Sequence, residues 1–383
     1  MVTFFMPRFS LRNLTLIGSL WGAATLLAQA QVQERVFPPA APLPADSAAG
    51  GKRLNDKQIF ANPSVLGMGP SKGLIVRYER MPRFKVNSDA KVVGLTDYST
   101  DATKNARLSI KGYIPAWNRP HLKVIVGLSY EREEFQFDPK PTDYELYNNI
   151  ENKGLKSTAA QIAIIRPVDD VHWYLARIKG EMSGDYTSSE LDRGDYFRFS
   201  AEAIYGWKRS PNFSWGVGFQ YGYTFGRLSL YPAVIYNRTF NQHWGIEALA
   251  PARITLRYNA SENSIFYAGY TVDGYNYIIR LRDELERRNP DGSVISTKTP
   301  LRTLELRETE VKFRGRWEHE ILSFLWGAAE VGYRYNYAFD AFDRTNADRE
   351  KIIDSKFAGA PYASLELFIT PPRKLLEKSG VRR

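Results

Sequence analysis

The sequence predicts an all-β fold: a closed antiparallel transmembrane β-barrel of about 14 strands, with roughly 12 to 16 compatible. Three observations carry this. Apolar and polar residues alternate with period two from about residue 73 to 369. Short turns alternate with long polar loops. Six tryptophans cluster beside the short turns.

The stretch WGVGFQYGYTF (215–225) shows the alternation plainly. Trp215, Val217, Phe219, Tyr221 and Tyr223 occupy every second position, and glycine, glutamine and threonine fill the gaps. A strand sends alternate side chains to opposite faces, so one face is aromatic and the other nearly bare. An aromatic face suits lipid, and a bare polar face suits a crowded interior. NARLSIKGYI, ARITLRY, ETEVKFRGRW and AEVGYRYNY repeat the pattern with basic and acidic residues on the second face. Past the N-terminus no apolar run approaches the ~18 residues a membrane helix needs. A sheet in a bilayer cannot leave open edges, so the strands must close.

The expected strands run near 73–82, 104–115, 121–135, 156–166, 171–184, 195–208, 213–224, 226–238, 243–259, 263–273, 275–287, 301–317, 322–338 and 357–369. Pro251 interrupts the strand at 243–259 and leaves open its division into two. AWNRP, VDD, RSPN, FNQ, DG and EHEI read as short turns. The segments 83–103, 136–155, 185–194, 288–300 and 339–356 read as long loops, with short joints at 224–226 and 260–262 on that side. Tight periplasmic turns and longer external loops are the outer-membrane topology. Trp117, Trp173, Trp207, Trp215, Trp244 and Trp317 fall at the short-turn end, where an aromatic girdle is expected, while Trp326 sits further into a strand.

The N-terminus points to export. Arg8 and Arg12 precede the apolar run LTLIGSLWGAATLL, and Ala28-Gln29-Ala30 fits a cleavage site. Residues 1–30 therefore read as a signal peptide cleaved after Ala30, with an N-terminal anchor as the rival. Residues 31–72, rich in Pro, Ala and Gly, read as a flexible periplasmic lead-in, with a short plug as the rival. Residues 370–383 form a basic tail. The expected location is the outer membrane of a Gram-negative bacterium. The expected partners are its lipid and the barrel-assembly machinery; the sequence does not set the oligomeric state. There is no cysteine, which excludes disulfides and thiol chemistry.

WGVGFQYGYTFGRLSLYPAVIYN followed by HWGIEALAPARITLRYNASENSIFYAGYTVDGYNY resembles a family of Gram-negative outer-membrane β-barrels known only as a domain of unknown function. The Phe225-Gly226 link, the Tyr231-Pro232 pair, the Trp244 strand, the Leu249-Ala250-Pro251 break and the Gly274-Tyr275 turn carry the resemblance. It implies a barrel over 73–369 and brings no catalytic or ligand residues. One departure concerns the terminal aromatic that assembly machinery reads: here it is displaced inward to Phe368.

Chemistry has little support. Asp169, Asp170 and His172 form the one cluster that suits a hydrolase, but it sits on an expected turn, where aspartates are common. His121, His243 and His319 also lie near turns. No metal-ligand spacing or phosphate loop appears, so no metal and no cofactor are expected. Lys and Arg outnumber Asp and Glu by 52 to 42. Export makes nucleic acid an unsuitable partner for that excess.

The inward charges give the functional lead. Arg107, Lys111, Arg177, Lys179, Glu181, Arg198, Glu202, Arg253, Arg257, Arg280, Arg282, Arg307, Lys312, Arg314, Arg316, Glu330 and Arg334 are the lumen-lining candidates. A Lys or Arg on the lipid face costs ~2–4 kcal/mol at the midplane, so these residues belong inside. They read either as ion pairs that fill and brace the barrel or as a cationic lumen that passes small anionic solutes. The leading expectation is a passive, non-enzymatic pore. A closed structural or surface-binding barrel and an outer-membrane hydrolase are its rivals, and a secreted β-sandwich fits the inward charges poorly.

Overall fold

The computed structural model describes residues 61–92, 95–119, 121–187, 196–285, 293, 301–344 and 349–371. The signal peptide, most of the lead-in and most of the basic tail lie outside these. Sixteen strands form one sheet: β1 (Leu74–Met81), β2 (Phe84–Ala90), β3 (Tyr98–Arg119), β4 (Leu122–Asp138), β5 (Leu155–Pro167), β6 (His172–Gly184), β7 (Phe197–Ser210), β8 (Phe213–Phe225), β9 (Arg227–Thr239), β10 (Trp244–Ala250), β11 (Arg253–Ser261), β12 (Ser264–Leu285), β13 (Leu301–Leu322), β14 (Leu325–Asp343), β15 (Lys351–Phe357) and β16 (Ala360–Ile369). One helix, α1 (Glu145–Lys153), lies between β4 and β5.

The ring is antiparallel and closes between its first and last strands. β1 pairs with β3 on one side and with β16 on the other, Ile75 opposite Phe368 and Arg80 opposite Ala363. β2 continues β1 past a break, β15 leads into β16 in the same way, and these two upper pieces also pair. The barrel thus has 14 strand positions, with the first and last strands each broken in two.

Two strand expectations are corrected. The segment 243–259 is two strands, because Pro251 and Ala252 form a tight turn between β10 and β11. The segments 263–273 and 275–287 are one strand, β12, and the Gly274-Tyr275 turn does not exist. The errors cancel in the count. The long loops are also less irregular than expected: 83–103 holds β2, 136–155 holds α1, and 339–356 holds β15.

Gly274 has a different purpose. A Cβ there would lie 2.0 Å from the carbonyl oxygen of Tyr223, at the tip of the β8–β9 hairpin. β12 is 22 residues long, while β11 beside it has nine and β10 beyond that has seven. Above this low stretch of wall β12 leans across to β6, and Ile278 meets Gly184 in a parallel contact. The upper strand ends draw in behind it. They enclose an apolar core that includes Phe84, Phe135, Phe137, Tyr277, Leu304, Leu306, Phe339 and Phe357, with Tyr147 and Ile150 of α1 set into it. Asp185 ties the parts together: its carboxylate accepts from Asn149 of α1 at 2.6 Å and from the Arg280 backbone N–H at 3.2 Å. Burial pushes the Asp185 carboxyl above its usual range.

The outer face is apolar, as alternation requires. Val217, Phe219 and Tyr221 are exposed, and Leu128, Leu230, Val331, Tyr337 and Leu365 continue the band around the barrel. Trp117, Trp244 and Trp317 stand exposed at the short-turn end, and Trp207 stacks on Trp215 at 4.5 Å between ring centres. A closed barrel with a greasy, aromatic-rimmed outer wall is an outer-membrane barrel. Trp173 is a correction to the girdle. It is fully buried inside, where its Nε1 donates to Ser214 Oγ at 3.0 Å. Gly206 makes room for it, since a Cβ there would lie 2.1 Å from the indole. Trp326 and Phe368 are also interior, in ring contact at 6.1 Å. Phe368 therefore does not show an aromatic face to lipid.

The two faces of β8 offer a direct test. Phe219→Arg places charge in lipid and is expected to destabilise the barrel by about 2–4 kcal/mol in refolding titrations. Gln220 lines the interior, so Gln220→Arg is expected to cost much less. Equal effects would reverse the assignment of faces.

Candidate functional site

Below the apolar core the barrel holds a polar chamber. It comprises three cavities of about 300, 380 and 420 Å³ that share walls, with Lys111 lining all three. Eleven of the candidates line it: Arg107, Lys111, Arg177, Lys179, Glu181, Arg198, Arg253, Lys312, Arg314, Arg316 and Glu330. Glu202, Arg257 and Arg334 are packed away from it, on Arg177, on Glu247 and Thr239, and on Glu310 and Asn105 respectively.

Arg280 and Arg307 are corrections. The face of β12 that enters the upper core carries Tyr277 and Ile279, and that of β13 carries Leu304 and Leu306. Arg280 and Arg307 have the opposite parity. Arg280 lies over the Tyr196 ring, and Arg307 lies 3.8 Å from the Phe342 ring centre and pairs with Glu305 at 2.8 Å. The side chain of Arg282 lies outside the described residues.

The partners of these bases are carboxylates, some of them candidates themselves (Glu181, Glu202 and Glu330) and others, Glu79, Glu131 and Glu310, not singled out by the sequence. Glu330 accepts from Arg77 at 2.8 Å, Arg314 at 3.0 Å, Arg316 at 3.4 Å and the Tyr362 hydroxyl at 2.8 Å. Glu310 is the second hub, with Arg107 at 2.9 Å, Arg334 at 2.8 Å and Lys312 at 3.2 Å. Glu79 holds Lys312 at 2.6 Å, Glu131 holds Lys111 at 2.6 Å and Glu181 holds Lys179 at 2.5 Å. Two or three cations around one carboxylate offset the cost of burying each, and removing the shared partner would strand them. The ladder is thus close to balanced, and the inward positions do not form a purely cationic surface.

Glu133, Glu308 and Glu310 bring carboxylate oxygens within 4.8 Å of one another, a spacing that could suit a metal ion. Arg107 already bridges Glu133 and Glu310 at 2.7 and 2.9 Å, and Arg334 reaches Glu310. Guanidinium groups supply the positive charge here, and a divalent ion would have to displace them.

Residues 61–73 form the chamber floor, and this corrects the flexible lead-in over its last part. Ala61 is fully buried against Trp173, Ile204, Ala233 and Ile235. The backbone is held in turn by Lys208, which donates to Asn62 Oδ1 at 2.9 Å; by Asn237, which donates to the Pro63 carbonyl at 2.8 Å; and by Asn259, which donates to the Gly67 carbonyl at 3.0 Å. Lys72 closes the run between Glu318 and Glu366 at 2.7 and 2.9 Å.

The Asp169–His172 cluster lies on the β5–β6 turn, away from the chamber. Asp169 Oδ1 accepts the backbone N–H groups of Val171 and His172 at 2.7 and 2.6 Å, and Oδ2 meets His172 Nδ1 at 2.7 Å. Slight burial opposes ionisation, but these hydrogen bonds hold the Asp169 carboxyl below its usual range. The contacts are those of an aspartate closing a turn.

Residues 142–305 match the model of a family described as a domain of unknown function, DUF6268. No curated protein matches the chain. Among solved structures, the chain is similar to a FadL homologue of Pseudomonas aeruginosa (9% identity, TM-score 0.36, covering 77% of this chain and 90% of that one). It is also similar to the P. putida toluene transporter TodX (7%, 0.34, 82% and 93%) and to an outer-membrane channel from Pseudomonas putida F1 (8%, 0.32, 83% and 100%). With TM-scores this low, the likeness lends no substrate or mechanism to this chain.

The Glu330 hub gives a stability prediction. Glu330→Gln leaves three arginines sharing a neutral amide, and the expected loss is about 3–5 kcal/mol in denaturant unfolding from detergent micelles. A loss below about 1 kcal/mol, the range of a solvent-exposed pair, would mean that water rather than the ladder carries these charges.

Proposed function

We propose that this protein is a passage barrel of the outer membrane, of the pore or transport class and without catalytic activity, held closed at both ends of a polar chamber. The observation that carries the reading is the chamber itself. Space lined by Lys111, Arg177, Lys179 and Arg198 runs on into space lined by Arg77, Arg253 and Arg314 through the middle of the barrel. A barrel needing only mechanical bracing has no use for an open polar gap amid buried charge. The apolar core and α1 close the long-loop end, which is the external end of such barrels. Residues 61–73 close the other. The bias expected for small anions rests on bases with no carboxylate ion pair among the described residues, Arg198 and Arg253, rather than on net lumen charge.

The completeness of the upper core favours a second reading, a permanently closed structural barrel. Planar-bilayer conductance separates the two. The intact mature chain is expected to be nearly silent. Deleting residues 61–72 while loosening the upper core with Tyr147→Ser and Ile150→Ser is expected to give steady conductance with an anion-favouring reversal potential. A doubly altered protein that is folded and inserted, shown by heat-modifiable electrophoretic mobility, yet remains silent would establish the structural reading.

A further inference from the structure

Donors outnumber acceptors at one end of β11 in the chamber wall. Arg253 opens β11 at the tip of the low β10–β11 hairpin and lines two of the three cavities. It makes no hydrogen bond or ion pair to any described residue. Glu247, whose negative charge acts on it, is engaged by Arg257 at 3.0 Å. Thr255 is 4% exposed and lines one of the same cavities, and its Oγ1 has no hydrogen-bond partner among the described residues. Arg314 gives one nitrogen to Glu330, but its Nε is buried without an acceptor.

Register brings these groups together. Thr255 lies opposite Gly269 on β12, and Gly269 lies opposite Arg314 on β13. Arg253 is one inward-facing position along from Thr255. Gly269 has no side chain to separate the two neighbours. It also lets β11 approach closely, since a Cβ there would lie 2.1 Å from the Ile254 carbonyl oxygen.

We infer that Arg253, Thr255 and Arg314 form an oxyanion-binding site in the chamber, one that takes a small carboxylate. This rests on the passage reading, since it names the chemistry such a passage would select. A guanidinium, a hydroxyl and a second guanidinium N–H match the lone pairs of a carboxylate, and charge-assisted bonds of this kind are among the stronger ones. Asp273 sets the charge limit. It lines the same cavity as Arg253, and among the described residues it accepts one long hydrogen bond, from Thr271 at 3.5 Å. A monoanion, or a zwitterion whose cation faces Asp273, fits. A dianion meets its repulsion.

The test uses the refolded mature chain in detergent and does not require conduction. The unfolding temperature is measured against sodium acetate, with sodium chloride holding ionic strength constant, because a ligand that binds only the folded state raises it. Acetate is expected to raise it saturably, and sulfate is expected to do so less. In Arg253→Gln the half-saturating acetate concentration is expected to rise about tenfold, the scale of one lost charge-assisted bond. Thr255→Val, which keeps the side-chain volume, is expected to weaken it less. Lys356→Gln, on an exposed residue outside the chamber, is expected to change nothing. An acetate effect that persists in Arg253→Gln is a general salt effect and overturns the site, as does no effect in the parent or a stronger effect of sulfate. Saturable acetate binding in a barrel that stays silent after both closures are removed would overturn the passage reading and leave the site standing.

Discussion

Charge must stay off the lipid face, and that constraint organises this barrel. Period-two alternation sends most basic side chains of the spanning strands inward, with Arg280 and Arg307 among the exceptions, into a space too narrow to hydrate all of them. Most of them find a carboxylate on the opposite wall or on a neighbouring strand. Glu330 and Glu310 answer by serving several cations each, and in doing so they link β1, β3, β13 and β14 across the seam where the ring closes. The seam between the first and last strands is therefore held by ion pairs as well as by backbone hydrogen bonds. Lys72 between Glu318 and Glu366 extends the same logic to the chain entering the barrel.

The second organising feature is unequal wall height. β10 and β11 are short, β12 is long, and the excess of β12 cannot remain an unpaired edge in an apolar setting. It turns inward instead and meets β6. That single lean makes the upper end narrow enough to pack with phenylalanine, tyrosine and leucine, and leaves the wider lower part to polar residues. Closure above and a chamber below thus have one cause.

Much of this was legible in the sequence. The lipid and interior faces of β3, β8 and β13 follow from alternation alone. Trp173 was legible too: it shares parity with Arg177 and Lys179, which were placed inside, but its nearness to a turn drew it into the girdle. Parity would likewise have separated Arg307 from Lys312. Pro251 signalled the β10–β11 turn. Gly274 misled because Asp-Gly is a turn signal, whereas here the glycine accommodates a close approach by Tyr223 from a strand 50 residues away in the chain. The carboxylate partners were not legible as partners. Lys72 and Glu366, or Arg107 and Glu310, are joined only by ring closure, and no local pattern announces such a pair. The lean of β12 was hidden for the same reason.

On the passage reading, the polar chamber in mid-barrel is sealed from the outside by the upper core. The chain has no cysteine, so one introduced thiol reports cleanly. The most direct measurement is the labelling rate of Ser129→Cys, on the chamber wall, by a membrane-impermeant maleimide added to intact cells. The structure predicts no labelling from outside with the upper core intact, and labelling once Tyr147→Ser and Ile150→Ser loosen it. Rapid labelling from outside with the core intact would contradict a sealed chamber.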